Sequence, residues 1–150
     1  MRVLGVNGAG RELWLAIVEP DGDGIEIEPA LTMPTGVETG QQLVEFRDQC
    51  RRVLNRVKPD HVLILDPEPT GQLSYKQSRG RVTGETLLAL AAAEAEIPCD
   101  RMSRATVRSR VGLDRSGRLS DRVAEVLPTP PCTHWKGKRD LAALVARAGA

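Results

Sequence analysis

At 150 residues the chain has the size of one domain, 1–150, with room for a hydrophobic core of its own. Hydrophobic residues at 41% against 27% charged ones exclude a disordered or fibrous class. A net charge of +1 excludes a global field strong enough to argue for nucleic acid or an anionic membrane by itself.

The first predicted element is a short apolar strand, RVLGVN. Gly5 to Gly10 then has the spacing of a phosphate-binding P-loop, but Arg11 and Glu12 stand where that loop needs Lys and Ser or Thr. The next stretch, ELWLAIVEP, alternates Leu13, Leu15 and Ile17 with Glu12, Trp14 and Ala16. That period of two predicts a strand, whereas a P-loop must feed a helix. NGAGRE is therefore expected to be a hairpin turn, its glycines supplying positive φ.

The turn Pro20-Asp21-Gly22-Asp23-Gly24 leads into a third strand, GIEIEPALTM. Leu43, Phe46, Cys50, Val53, Leu54 and Val57 fall at helical spacing, and Pro59 ends that helix. DHVLILDPEP reads as a buried parallel strand, TGQLSYKQSRG as a loop, and RVTGETLLALAAAEAEI as an alanine-rich helix stopped by Pro98. The face LLALAAAEA is read either as an interface or as close helix–sheet packing. A fifth strand follows near Cys99 to Met102, then helices capped by Ser103 and Ser120, a proline-rich loop and a closing helix, KRDLAALVARA. The plan is α/β: a mixed five-stranded sheet in the order β-β-β-α-β-α-β-α with flanking helices.

Cys50, Cys99 and Cys132 are an odd number without CxxC spacing, which predicts reduced thiols rather than a disulfide frame or a zinc site. No apolar run approaches the roughly 18 residues of a membrane span, and no signal-peptide pattern opens the sequence. A cytoplasmic location without membrane contact is the expectation.

Between Arg101 and Arg122 there are seven arginines against Asp114 and Asp121. Guanidinium forks suit phosphate oxygens, so Arg104, Arg108, Arg110, Arg115 and Arg118 are candidates for nucleic-acid contact. The alternative is a solvated arginine-rich surface.

The order of elements, with polar residues at particular strand ends, resembles the RNase H-like fold and more narrowly the RuvC-type Holliday-junction resolvases. MRVLGVNGAG resembles their opening strand, KPDHVLILDPEP their fourth strand, SRATVRSRVGLDRSGRLSDRVAEVL their basic stretch, and KRDLAALVARA their last helix. The resemblance implies a metal-dependent endonuclease acting on structured DNA or RNA. In such a site two Mg²⁺ or Mn²⁺ ions about 3.5–4 Å apart are held by convergent carboxylates. It also implies a homodimer, because a four-way junction has two-fold symmetry.

Taken position by position, the resemblance puts Asn7 where the first-strand Asp belongs, and an amide brings no charge to a metal. Asp66 ends the fourth strand where the family usually has Glu, with Glu68 as a substitute two residues on. Asp140 matches the acid of the closing helix, while the often acidic position three residues earlier is Gly137, between Lys136 and Lys138. The implied metal and catalytic set is thus Asn7, Asp66 and Asp140, with Glu68 as a further ligand and Glu12 in reserve. An Asn7→Asp change is expected to strengthen metal binding in such a pocket.

Plainer readings stand beside these. Asn7 before Gly8 is also a natural left-handed turn residue, Asp66 a cap on the loop before Pro67, Glu68 an exposed acid and Asp140 a complement to the helix dipole. His134 and Trp135 either stack on a base or pack, and His61 is read as structural. The competing function is a catalytically inactive RNase H-like module that binds nucleic acid or a protein. A sugar-kinase or actin-type ATPase, which needs two such domains, is set aside.

Overall fold

The structure is a computed structural model that describes residues 1–20, 24–68 and 74–150. Strands β1 (Val3–Ala9), β2 (Glu12–Val18) and β3 (Ile25–Thr32) come first. Helix α1 (Thr39–Val57), β4 (His61–Leu65), α2 (Tyr75–Glu94) and β5 (Cys99–Met102) follow. The chain closes with α3 (Arg104–Val111), the single turn α4 (Leu119–Arg122) and α5 (Asp140–Gly149). The strands lie in the order β3-β2-β1-β4-β5. β1–β2 and β2–β3 are antiparallel, and β1–β4 and β4–β5 are parallel. This is the mixed five-stranded sheet with flanking helices expected from the sequence.

Successive residues of the central strands feed two cores, one on each face. Leu4, Val6, Leu15, Ile17, Val62 and Ile64 pack with Phe46, Cys50 and Leu54 of α1 and Leu88 and Ala92 of α2. Val3, Ala16, Val18, Leu63 and Leu65 pack with α5, α3 and the α4 region on the other face. Burial on both faces explains why β1 and β4 read as near-continuous apolar runs.

Helix α5 is buried from Asp140 through Ala146. It approaches β1 so closely that a Cβ on Gly5 would overlap the Ala142 carbonyl oxygen. This contact seats the turn before α5 on the C-terminal end of β1, where the candidate site lies.

Four local expectations change. The β1–β2 hairpin has a two-residue connection, Gly10-Arg11, and of its glycines Gly10 carries the positive φ, +66°. Asn7 and Gly8 are strand residues paired with Trp14 and Leu13, so Asn7 is not a left-handed turn residue. Helix α2 starts at Tyr75 and takes in YKQSRG, expected as loop, because Ser74 and Gln77 form a reciprocal capping box. Residues 70–73 of that loop, Pro69 at the end of the predicted strand DHVLILDPEP, and Asp21 to Asp23 of the predicted turn lie outside the described residues.

LSDRVAEVL forms α4 and one turn of 3-10 helix, Val123–Glu125, with Arg118 rather than Ser120 at the N-cap. Leu119, Val123 and Leu127 anchor it to the core. Cys50, Cys99 and Cys132 are free thiols, and burial pushes Cys50 up to about 12 and Cys99 to about 11. Among the described residues no helix is long and apolar enough to cross a membrane.

Candidate functional site

A cleft of about 320 Å³ opens where β1 and β4 end, lined among others by Asn7, Gly8, Glu68, Arg81, Arg104 and Gly137. The carboxyl ends of parallel strands are the usual ligand position of an open α/β sheet. Of the sequence-predicted ligands, the cleft takes Asn7 and Glu68.

Asn7 is 2% exposed, and its side-chain amide donates to the carbonyls of Lys138 (3.1 Å) and Gly137 (3.4 Å). Asp140, 1% exposed, grips the same turn from the other side. Its Oδ1 accepts the Leu141 N–H at 2.6 Å, and it borders a separate pocket beside Lys136 and Ser120. Burial pushes the Asp140 carboxyl above the usual carboxylate range, while the backbone N–H groups of Gly137, Leu141 and Lys138 draw it back. Gly137 sits at φ +74°, the left-handed conformation that lets the chain turn there. Asn7 and Asp140 thus hold one turn through its carbonyls and its amides respectively.

The cationic side of the cleft comes from α2 and α3. Glu85, 2% exposed, receives Arg81 Nε at 2.9 Å and Arg101 Nη1 at 2.7 Å, so two guanidinium groups share one buried carboxylate. The Glu85 carboxylate holds Arg101 above its usual value. Gly8 makes the packing possible, since a Cβ there would lie 3.0 Å from Arg81 Cγ and 3.2 Å from Glu85 Oε1.

Arg81 Nη2 donates to the Leu65 carbonyl at 3.0 Å, and Arg104 Nε donates to the next carbonyl, Asp66, at 3.1 Å. Arg104 also pairs with Glu68 at 3.2 Å. Burial lowers Arg104 below the ordinary guanidinium value; Glu68 opposes that shift and Arg81 adds to it. Asp66 itself is half-buried, and its charge is felt by Arg101 on β5.

The remaining predicted arginines divide by role. Arg108 donates to the carbonyls of Asp114, Ser116 and Gly117 and folds that loop, and Arg110 donates to Ala148 at 3.4 Å. Arg115 and Arg118 are exposed, and their side chains make no hydrogen bond or ion pair among the described residues. Trp14 is buried beside the 137–138 turn, with Arg139 4.8 Å and Lys138 5.3 Å from its ring centroid and the His134 ring at 5.3 Å. Trp135 packs, half-buried, against the α5 side of the core. His61, half-buried, pairs with Asp100 at 2.8 Å.

No protein-family model matches the sequence, and no curated protein matches it. Solved structures do. The chain aligns with Thermus thermophilus RuvC at TM-score 0.72 and 18% identity, over 99% of this chain and 97% of that one. It aligns with T. thermophilus RuvC in complex with a Holliday junction substrate at 0.71 and 15%, over 99% and 91%. It aligns with the yeast mitochondrial Holliday junction resolvase Ydc2 at 0.63 and 15%, over 97% and 76%. The chain has the RuvC-type RNase H-like fold.

The expected metal set of a RuvC-type site can be tested on these residues, and it does not fit. A two-metal centre needs carboxylate oxygens that converge on the ions. Here Asn7 turns its N–H donors toward backbone carbonyls, Asp66 is not among the residues that line the cleft, Glu68 pairs with Arg104, and Asp140 is buried against backbone amides. Among the described residues no three His, Cys, Asp or Glu side chains converge as a cation would require. The cleft instead presents two anchored guanidinium groups, and its chemistry is that of anion recognition.

Arg81 and Glu85 are absent from the set that the sequence suggested. Their i,i+4 spacing on a helix is legible in the sequence, as is a lone carboxylate ahead of the run LLALAAA. Arg101, the third member, is brought in only by the pairing of β5 with β4.

Proposed function

We propose that this chain is a RuvC-type RNase H-like module that binds structured nucleic acid and does not hydrolyse it. The observation that carries the reading is the cleft itself. Arg81 and Arg104 stand at the end of β4, and the residue in place of the first-strand acid is an amide turned to backbone carbonyls. Arg115 and Arg118 are exposed and so open to phosphate contact, whereas Arg108 and Arg110 serve the fold. The RuvC neighbour whose structure holds a Holliday junction substrate supports junction-like DNA as the first ligand to try. A homodimer would match the two-fold symmetry of such a ligand, and α2 exposes Val82 and Leu90 on its outer face.

The test is fluorescence anisotropy with a labelled four-way DNA junction, in EDTA, from 50 to 200 mM salt. Four arginines (81, 104, 115 and 118) predict that log K falls against log salt with a slope between about −3 and −4. Absence of binding at 50 mM salt to the junction, to duplex DNA and to structured RNA would overturn the reading.

A further inference from the structure

We infer that the cleft at the end of β4 is a seat for one phosphate group, held between Arg81 and Arg104 without a divalent cation, with Glu68 as the internal anion that the phosphate displaces. The nucleic-acid reading above supplies the identity of the larger ligand; the seat itself follows from the side chains.

Both arginines are built in place. Their side chains are 12% and 16% exposed, and they are anchored on the consecutive carbonyls of Leu65 and Asp66. Two forks fixed on neighbouring carbonyls cannot swing away as surface arginines do, so little freedom is lost when a ligand arrives.

The charge count favours an anion once Glu68 moves aside. Glu85 is shared by Arg81 and Arg101, and Asp66 also acts on Arg101, so those four residues are neutral together. Arg104 then carries one net positive charge, which Glu68 offsets from a side chain that is 54% exposed. An ion pair open to water on one side contributes little. A phosphate can take Nη1 and Nη2 of Arg104 through paired oxygens and Nη1 of Arg81 through a third, and so make the stronger contact.

The donors also remain. Hydrogen bonds commit Nε and Nη2 of Arg81, which leaves Nη1, and Arg104 has Nη1 available once Glu68 leaves and Nη2 besides. Gly8, with no side chain, keeps the wall of the cleft open beside Arg81. A cleft of about 320 Å³ admits a phosphate with the groups flanking it.

The experiment uses the full chain in EDTA with two probes: inorganic phosphate, followed by ³¹P line broadening, and the labelled four-way junction, followed by anisotropy. Glu68→Gln, which removes the competing carboxylate, is expected to tighten both about threefold. Arg104→Gln is expected to weaken both about tenfold and to reduce the junction's salt slope by about one. Arg104→Lys, which keeps the charge and loses the fork, should fall between parent and Arg104→Gln.

Circular dichroism and melting controls establish that each variant is folded. Junction binding that all three variants leave unchanged overturns the seat while the nucleic-acid reading stands. Phosphate binding that follows the variants, with no junction binding by the parent, upholds the seat and removes the nucleic-acid reading. A parent that binds neither probe removes both.

Discussion

Glu85→Ala is expected to lower stability by about 4 kcal/mol, because removing one partner of a buried ion pair leaves the other charge uncompensated. Arg81 would then lie 12% exposed, with only the Leu65 carbonyl to receive it, and Arg101 would lose its 2.7 Å contact. For a chain of this length the melting temperature should drop by roughly 10 °C. A triple variant, Glu85→Leu with Arg81→Met and Arg101→Met, removes all three charges together and should recover most of the loss. Urea and thermal unfolding measure both variants. A Glu85→Ala protein that melts with the parent would mean that water reaches the triad.

Asn7→Asp carries the second large effect, about 3 kcal/mol of destabilisation at neutral pH. The amide donates to two carbonyl oxygens, and a carboxylate at the same place would face those oxygens without a proton to offer. Buried there, its folded-state pKa would rise above the unfolded value near 4. The deficit against the parent should therefore be smallest below about pH 4. It should grow as pH rises from there until the folded carboxyl ionises. Asp140, whose own carboxyl burial raises, holds the same turn, so a second carboxylate at position 7 would push both carboxyls further in the same direction.

The stronger metal binding that the sequence suggested for Asn7→Asp would require Glu68 to leave Arg104 and Asp140 to release the turn. Millimolar Mn²⁺ is accordingly expected to return none of the lost stability. Denaturant midpoints at pH 3.5 and 7.5, with and without Mn²⁺, decide the matter, and full recovery by the metal would contradict this account of the cleft.

What was legible in the sequence follows the range of the forces involved. The strands could be read because alternate residues of β1, β2 and β4 enter two different cores, and α1 because Phe46, Cys50, Val53, Leu54 and Val57 form one buried face. The start of α2 escaped because YKQSRG has a loop's composition, although Ser74 and Gln77 carried the capping signal.

The roles of the site residues were not legible in the same way. Asn7 looks like a turn residue or a weakened metal ligand, and what it holds lies 130 residues away. Asp140 reads as an ordinary helix-start acid until the packing of α5 against β1 buries it. Arg108 has the composition of a phosphate contact, but it folds the 114–117 loop, a role set by the shape of that loop.

The most direct measurement incubates the full chain with an end-labelled four-way junction in Mn²⁺ and, in parallel, in EDTA, following affinity and strand cleavage in the same samples. The account predicts no gain of affinity in Mn²⁺ over EDTA and an intact junction in both. Mn²⁺-dependent cutting that is lost in an Asp66→Asn/Asp140→Asn variant would contradict it.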